Sequence, residues 1–326
     1  MKPRLFSVLV IATAMSGLQP ALAADIKVNG FADIIYTLTD EASDVPGGKN
    51  PTEGKFTADG EVDFASKLSD TVSVRVDLDL AMAVNGGNNA SAVTGGPADS
   101  AVIEQAFFAW SLPKDLTFIG GVFNNPVGWE AEDAPDLYQT SHSLNYGILD
   151  DQTTLHGNNI AGVALAGKVG PVTLTGAFID DLQLAPEENS LAIIANMTAM
   201  KGLDLELGYV TQDNDIPTAG GAGNVMDFNA VYTRGKWTAV FELLMADEII
   251  DSSILLLANY DFGNKFGVTG RYETISAAGG GPDTDRITLA GTYAAADNLA
   301  ILLEWNTTDT GTTDADMLTA EFVAQF

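Results

Sequence analysis

The sequence predicts an all-β fold, a transmembrane antiparallel up-and-down β-barrel of about 16 strands built from residues 24–326. Three observations predict it. Some sixteen segments alternate apolar and polar residues with the period of a strand, and most run about 9–13 residues, the length that crosses a bilayer at a tilt. The connectors alternate strictly between short and long. One face of each segment is apolar and the other carries charge, so a single row of side chains can meet hydrocarbon while the row between meets water.

The chain opens with Lys2 and Arg4, an apolar run from Leu5 to Leu18, and Pro20-Ala21-Leu22-Ala23. That is the layout of a secretory signal peptide over 1–23, cleaved after Ala23, with an apolar run too short for a spanning helix. The expected strands are 26–38, 55–68, 71–82, 101–111, 116–123, 158–169, 172–180, 190–200, 203–212, 225–234, 237–246, 252–262, 266–275, 285–295, 299–307 and 316–326. Thr71–Met82 shows the pattern best: Val72, Val74, Val76, Leu78, Leu80 and Met82 share one face, Ser73, Arg75, Asp77 and Asp79 the other. Leu203, Leu205, Leu207 and Tyr209 repeat it, as do Trp237, Ala239, Phe241, Leu243 and Met245. Three segments are assigned by spacing more than by pattern: 101–111 is apolar on both faces, and 158–169 and 190–200 are rich in alanine and glycine.

Short connectors such as Ser69-Asp70, Gly170-Pro171 and Gly235-Lys236 alternate with long ones at 39–54, 83–100, 124–157, 181–189 and 213–224. Short turns on one side and long loops on the other are the habit of outer-membrane barrels, and both termini on the turn side require an even strand number. Tyr36, Tyr209, Tyr272 and Trp305 fall near the long-loop ends of their strands. Trp237, Phe262, Phe266, Tyr293 and Phe326 fall near the short-turn ends, so the aromatics form two interfacial girdles. A secreted solenoid or sandwich is the rival architecture. Strand length, connector alternation and the terminal phenylalanine count against it.

The net charge is −29, and removal of Lys2 and Arg4 with the signal makes it −31, since residues 1–23 hold no acid. Nucleic acid is excluded as a natural partner, because its phosphates need lysine and arginine. Cysteine is absent, so neither disulfides nor thiolate metal sites contribute. The acids of the charged faces are Asp59, Glu61, Asp63, Asp77, Asp79, Glu104, Glu206, Glu242 and Glu304. They outnumber the bases on the same faces. This fits a cation-preferring aqueous interior, and it equally fits adaptation to a saline habitat.

Residues 124–157 form the longest connector and carry Glu130, Glu132, Asp133, Asp136, Asp150 and Asp151; no lysine or arginine occurs between Lys114 and Lys168. Loops of this size inside a compact domain are functional or disordered. Two readings stand: the loop folds into the barrel, where its acids face Arg75, Arg271 and Arg286, or its acids solvate an external loop. The outer loops hold oxygen clusters at Asp213-Asn214-Asp215, Asp283-Thr284-Asp285 and Asp309 to Asp316. None has EF-hand spacing, so at most weak Ca²⁺ binding is expected there, and no resident cofactor. His142 and His156 are the only histidines, and Ser141-His142-Ser143 is no nucleophile–base arrangement without a third group to orient the ring. No enzyme signature is present.

The chain ends Leu318-Thr319-Ala320-Glu321-Phe322-Val323-Ala324-Gln325-Phe326, and its last residue resembles the aromatic tag that barrel-assembly machinery reads in bacterial outer-membrane barrels. Gly121-Val122-Phe123 followed by Pro126-Val127-Gly128-Trp129-Glu130 resembles the OmpL-like family of bacterial β-barrel porins, in which Gly-Lys-Phe leads to Pro-x-Gly-x-Glu. Val122 stands where that family has lysine. Glu104-Gln105-Ala106-Phe107 and Ser141-His142-Ser143 are similar to it as well. The resemblance implies a porin of a Gram-negative outer membrane, in contact with its lipids, passing small hydrophilic solutes or cations through a bore that the loop constricts. The constriction would be set by Glu130, Glu132, Asp133, Asp136, Arg75 and Arg271, and porins of this size are often homotrimers. A surface adhesin or phage receptor acting through acidic outer loops is the alternative, and a barrel phospholipase centred on His142 is the third.

Overall fold

The computed structural model describes residues 26–43, 52–81, 100–152, 158–180, 189–211, 224–247 and 249–326. The signal segment 1–23, His156 and the cluster at Asp213–Asp215 lie outside the described residues. Sixteen strands are present among them. In chain order they are β1 (Ile26–Ser43), β2 (Glu53–Lys67), β3 (Val72–Ala81), β4 (Ser100–Leu112), β5 (Leu116–Asn124), β6 (Asn159–Val169), β7 (Val172–Asp180) and β8 (Asn189–Met200). The second half comprises β9 (Leu203–Val210), β10 (Val225–Arg234), β11 (Trp237–Ala246), β12 (Ile250–Asp261), β13 (Phe266–Ala277), β14 (Thr284–Ala296), β15 (Leu299–Asp309) and β16 (Thr313–Gln325).

Each strand pairs antiparallel with its neighbours in sequence, and β1 pairs with both β2 and β16, so the sheet closes into a barrel without an edge. Closure satisfies the backbone groups internally, which hydrocarbon demands. The seam is completed by the last residue: Phe326 N–H donates to Gly30 O at 3.0 Å, and Gly30 N–H to Phe326 O at 3.2 Å. Where the strand ends differ from expectation, the ladder is longer than the alternation. β1 and β16 stay in register through Asp40↔Asp316 to Ser43↔Thr313, because backbone pairing above the apolar zone needs no apolar side chains. The short turn after β4 places Lys114 and Asp115 at φ 67° and 57°, the left-handed pair that a tight hairpin requires.

The outward face is apolar and open. Leu289, Trp305 and Leu318 are opposite one another on three successive strands and all are exposed, as are Leu303, Phe322 and Phe178 elsewhere on the wall. A water-soluble protein does not leave a band of this extent uncovered, and lipid is the solvent that suits it. No helix among the described residues is long and apolar enough to cross a membrane. At the short-turn end, Trp237 meets Tyr260 at 4.6 Å, Tyr260 meets Phe262 at 4.9 Å, and Phe266 stacks on Tyr293 at 4.7 Å. At the other end Tyr36 packs on Phe56 at 4.7 Å. These are the two aromatic girdles.

The segments that fitted the alternation poorly have physical explanations. The β3–β4 ladder slips at Glu104: Asp77 pairs with Gln105 and Leu78 with Ile103, leaving Glu104 as a bulge. Glu104 and Gln105 are therefore both buried, and the phase of the alternation inverts within 101–111. In β6 and β8 the inward residues Ile160, Ala164, Ala166, Ala192 and Ile194 are buried and apolar. They face an inserted loop rather than water, so both faces of those strands read as apolar.

Candidate functional site

The inserted loop is residues 125–158, between β5 and β6. Its base is pinned where Asn125 N–H donates to Asn158 O at 2.8 Å, and Asn158 N–H donates to Asp150 Oδ1 at 2.7 Å. Val127 N–H bonds back to Asn125 Oδ1 at 3.2 Å, an Asx turn that starts the loop inward. Two short helices shape the remainder, a 3₁₀ turn η1 (Ala134–Asp136) and α1 (Leu144–Gln152).

Two kinds of contact hold it. The first is apolar. Val127 and Leu149, each 1% exposed, pack with Phe123 into a cluster formed by the inward residues Ile179, Ile194, Val210, Val225, Leu244 and Ile250. The loop comes so close to β9 that a Cβ on Gly208 would meet Val127 Cγ1. Further along, Trp129 stacks with Tyr138 at 6.3 Å, and both pack on Val240, Leu255 and Leu257. Burying several large side chains, at about 1.5–3 kcal/mol each, gives the loop a stake in the wall that no external loop would have.

The second kind is charge-assisted. A loop has backbone N–H groups with no ladder to join, and the wall supplies acceptors. Trp129 N–H donates to Glu242 Oε1 at 2.7 Å, and Asn145 Nδ2 to Glu242 Oε2 at 2.9 Å. Glu304 Oε2 accepts from Thr140 N–H at 2.8 Å and Ser141 N–H at 3.0 Å. Glu273 Oε1 accepts from Leu144 N–H at 2.5 Å. Hydrogen bonds to a charged acceptor are each worth about 1.5–3 kcal/mol, roughly twice a neutral one.

Glu130 and Arg271 are the centre of this network. Arg271 donates to Ser141 O, Ser141 Oγ and His142 O, each at 3.0 Å. It pairs with Glu273 at 2.8 Å and Glu130 at 3.4 Å. Arg286 pairs with Glu273 at 2.7 Å and also reaches His142 O at 2.5 Å. Glu130 Oε1 accepts from Ser143 N–H at 2.6 Å and lies 3.1 Å from His142 Nδ1. Burial alone would push the Glu130 carboxyl up, but the His142 hydrogen bond and the Arg271 charge hold it below the usual carboxylate range. Glu132 has no such partners. Burial first, then the charges of Glu104, Asp150, Asp133 and Asp79, push it well above that range.

The sequence-derived site residues thus fall into groups. Glu130 and Arg271 meet directly. Arg75 does not hydrogen-bond the loop; it lies 2.6 Å from Asp77, 3.2 Å from Asp63 and 3.9 Å from Glu61, on its own strand and β2. Asp133 approaches Glu61 and Glu104. Asp136 is exposed at the end of η1. Glu206 accepts from Asn229 Nδ2 at 3.1 Å, and the same amide reaches Asp227 at 3.1 Å. Asp59 turns back on the Gly60 N–H at 2.8 Å, and Asp79 stands opposite Glu61 on the neighbouring strand. Residues that the sequence did not single out as holding the loop in place include Glu273 on the wall and Val127, Asn145 and Leu149 within the loop. The hydroxyls flanking His142 are occupied: Ser141 Oγ accepts from Arg271 and Ser143 Oγ from Tyr146 N–H at 3.0 Å, and the ring stacks on Tyr146 at 4.1 Å. That arrangement orients the loop backbone around the ring.

No protein-family model matches this chain. No curated protein matches it either. Solved structures do. OmpF of Salmonella typhi in complex with daunomycin superposes with a TM-score of 0.70 at 12% identity, covering 93% of this chain and 98% of that one. The channel DcaP of Acinetobacter baumannii gives 0.66 at 12% identity over 96% and 100%. A mutant of the Rh. blastica porin gives 0.59 at 14% identity over 92% and 100%. At such identities the likeness establishes the fold.

Proposed function

Since the chain folds as a 16-strand porin-type barrel, we propose that it is an outer-membrane porin: a water-filled bore through which small hydrophilic solutes diffuse passively, with a preference for cations. The observation that carries this is the loop docked inside the closed barrel, which narrows the interior without filling it. Solvent still reaches Arg75 (36% exposed), Asp63 (23%) and His142 (34%), whereas Arg271 and Glu273 are sealed at 1% each. Arg75 and Asp63 lie on β3 and β2, and His142 on the loop beside Arg271 and Arg286. Asp63 of β2 faces that solvent beside Arg75, while Asp33, Glu61, Asp77, Asp79 and Glu104 lie buried behind it; the excess of acids over the one guanidinium of Arg75 is what supports a cation preference.

Planar-bilayer recording across a salt gradient tests the reading. Discrete conductance steps with a reversal potential displaced toward the cation's equilibrium potential are expected. Silence in the bilayer together with retained binding at the cell surface would replace it with the adhesin or receptor reading. The same proposal carries further parts that rest on family resemblance. The segment Gly121–Glu130 places the chain near the OmpL-like porins, 1–23 serves as the export signal, Phe326 serves barrel assembly, and the functional unit is a homotrimer. Chemical cross-linking in native membranes checks the last of these.

A further inference from the structure

The bases of this acidic chain are not spread evenly along the barrel. The long connectors hold a single lysine, Lys49. By contrast, Lys67, Lys114, Lys168, Lys201, Lys236 and Lys265 stand in or beside six of the seven short turns, and all are exposed. The short-turn end of an outer-membrane barrel meets the periplasmic leaflet. Lys67 already pairs with Asp70 at 3.3 Å, and the basic charge gathers most closely between β8 and β13. Lys201, Arg234, Lys236 and Lys265 lie on three successive short turns there. Hydrogen bonds seat these turns against the neighbouring strand ends: Gly202 O accepts from Thr233 N–H at 2.7 Å, and Lys236 O from Asp261 N–H at 2.9 Å.

The β10–β11 turn joins this charge to the aromatic girdle. Arg234 stands directly opposite Trp237, and Trp237 opposite Tyr260, so Arg234 shares the lipid-facing row of the two rings. Lys236 Nζ lies 5.9 Å from the centre of the Tyr260 ring and donates to Phe262 O at 2.5 Å, using one of the three donors an ammonium carries. The acids of these strand ends fall on the other face. Asp204 alternates with Leu203 and Leu205 and accepts from Thr198 Oγ1 at 2.6 Å, while Asp261 follows Tyr260 and accepts from Gly263 N–H at 2.7 Å. One row nearer the membrane centre, Tyr232, Ala239, Ala258, Gly270 and Leu289 stand in register. The small residues in the middle of that row leave an apolar groove in the outer wall.

We propose that the β10–β11 turn binds an anionic phospholipid of the periplasmic leaflet, its phosphate held by Arg234 and Lys236 and an acyl chain laid along the groove at Ala239, Ala258 and Gly270. The order of the parts matches the order of the lipid: cations at headgroup level, Trp237 and Tyr260 at the interface where amphipathic rings sit, and apolar wall below them. Arginine takes a phosphate through its planar fork and lysine as a point charge, so the pair supplies both orientation and attraction. Each basic residue near an anionic surface is worth about fivefold in binding. Lys201 and Lys265, on the turns to either side, add to the attraction. The site rests on the membrane reading of the barrel and is independent of whether it conducts.

The test is native mass spectrometry of the full chain, folded in detergent and titrated with phosphatidylglycerol or phosphatidylcholine of the same acyl composition. The first phosphatidylglycerol should bind about fivefold or more tightly than the first phosphatidylcholine. The double variant Arg234→Gln with Lys236→Gln should lose that preference, and Lys114→Gln, on the same rim at the β4–β5 turn, should keep it. Raising the ionic strength should weaken the preference in the unaltered chain, a readout that needs no variant to fold. Equal binding of the two lipids, or a preference that the double variant retains, overturns the proposal. An equal loss in Lys114→Gln also overturns it, because the rim would then act as diffuse charge. Equal lipid binding together with sedimentation of the chain on purified peptidoglycan would assign the bases to cell-wall carboxylates instead. A chain that stays folded and monomeric without detergent would remove the membrane reading itself.

Discussion

Arg271→Met is the sharpest perturbation of the docked loop. The guanidinium makes three hydrogen bonds of 3.0 Å to Ser141 and His142 and pairs with Glu130 and Glu273. With the side chain 1% exposed, solvent cannot take over these roles. Methionine keeps the bulk and removes every donor, leaving two buried carboxylates and two carbonyls short of partners. Removal of one member of a buried charge network costs about 3–5 kcal/mol. Arg286 still pairs with Glu273 and His142 O, so the lower end of that range applies. At about 1.4 kcal/mol per decade, about 3 kcal/mol raises the undocked population roughly a hundredfold. Hydrogen exchange reads this directly, because the N–H groups of Thr140, Ser141, Ser143 and Leu144 are all held by carboxylates in the docked loop. Their protection should fall by about two orders of magnitude while that of the β10–β11 ladder is unchanged. Equal protection in the variant would show that the loop is not held there by the charge network.

Three further outcomes follow from the geometry. Gly208→Val places a side chain where Val127 sits and should destabilise docking by about 1–3 kcal/mol, read as lost exchange protection near Val127. Gly30→Val drives a Cβ to 2.7 Å from Phe326 Cζ and against the Glu61 carbonyl, so the β1–β16 seam should close poorly; the folded fraction by gel mobility before and after heating measures it. The pH response of docking has two opposed parts. Glu130, held low, favours docking at neutral pH and loses that contribution as pH falls through its folded value. Glu132, held high, favours docking when protonated and loses that contribution as pH rises through its folded value. Glu132→Gln should therefore increase loop protection at alkaline pH and leave the acid limb unchanged, and a decrease at alkaline pH would contradict the assignment.

The barrel was legible because lipid and ladder impose a period of two on residues such as Leu203–Val210 and Trp237–Ala246, which need only their neighbours to reveal it. Glu104 shows where that logic stops. A bulge inverts the phase, and it depends on the partner strand, which the local pattern does not contain. The inward apolar rows at Ile160–Ala166 and Ala192–Ile194 were opaque for a related reason: a barrel interior reads as polar only where water fills it, and here the loop does. The acids of the charged faces were visible, but not their division of labour. Glu242 and Glu304 accept loop N–H groups, whereas Asp63 and Asp77 hold Arg75. Glu61, Glu104 and Asp133 are far apart in sequence, so their convergence appears only once β2, β4 and the loop are placed together.

Single-channel conductance of the full chain against a chain lacking residues 130–140, both in planar bilayers at the same salt, bears most directly on the central claim. With those residues docked inside the barrel, their removal should widen the aqueous path and raise the unit conductance. An unchanged conductance would place them outside the bore, and the constriction with them.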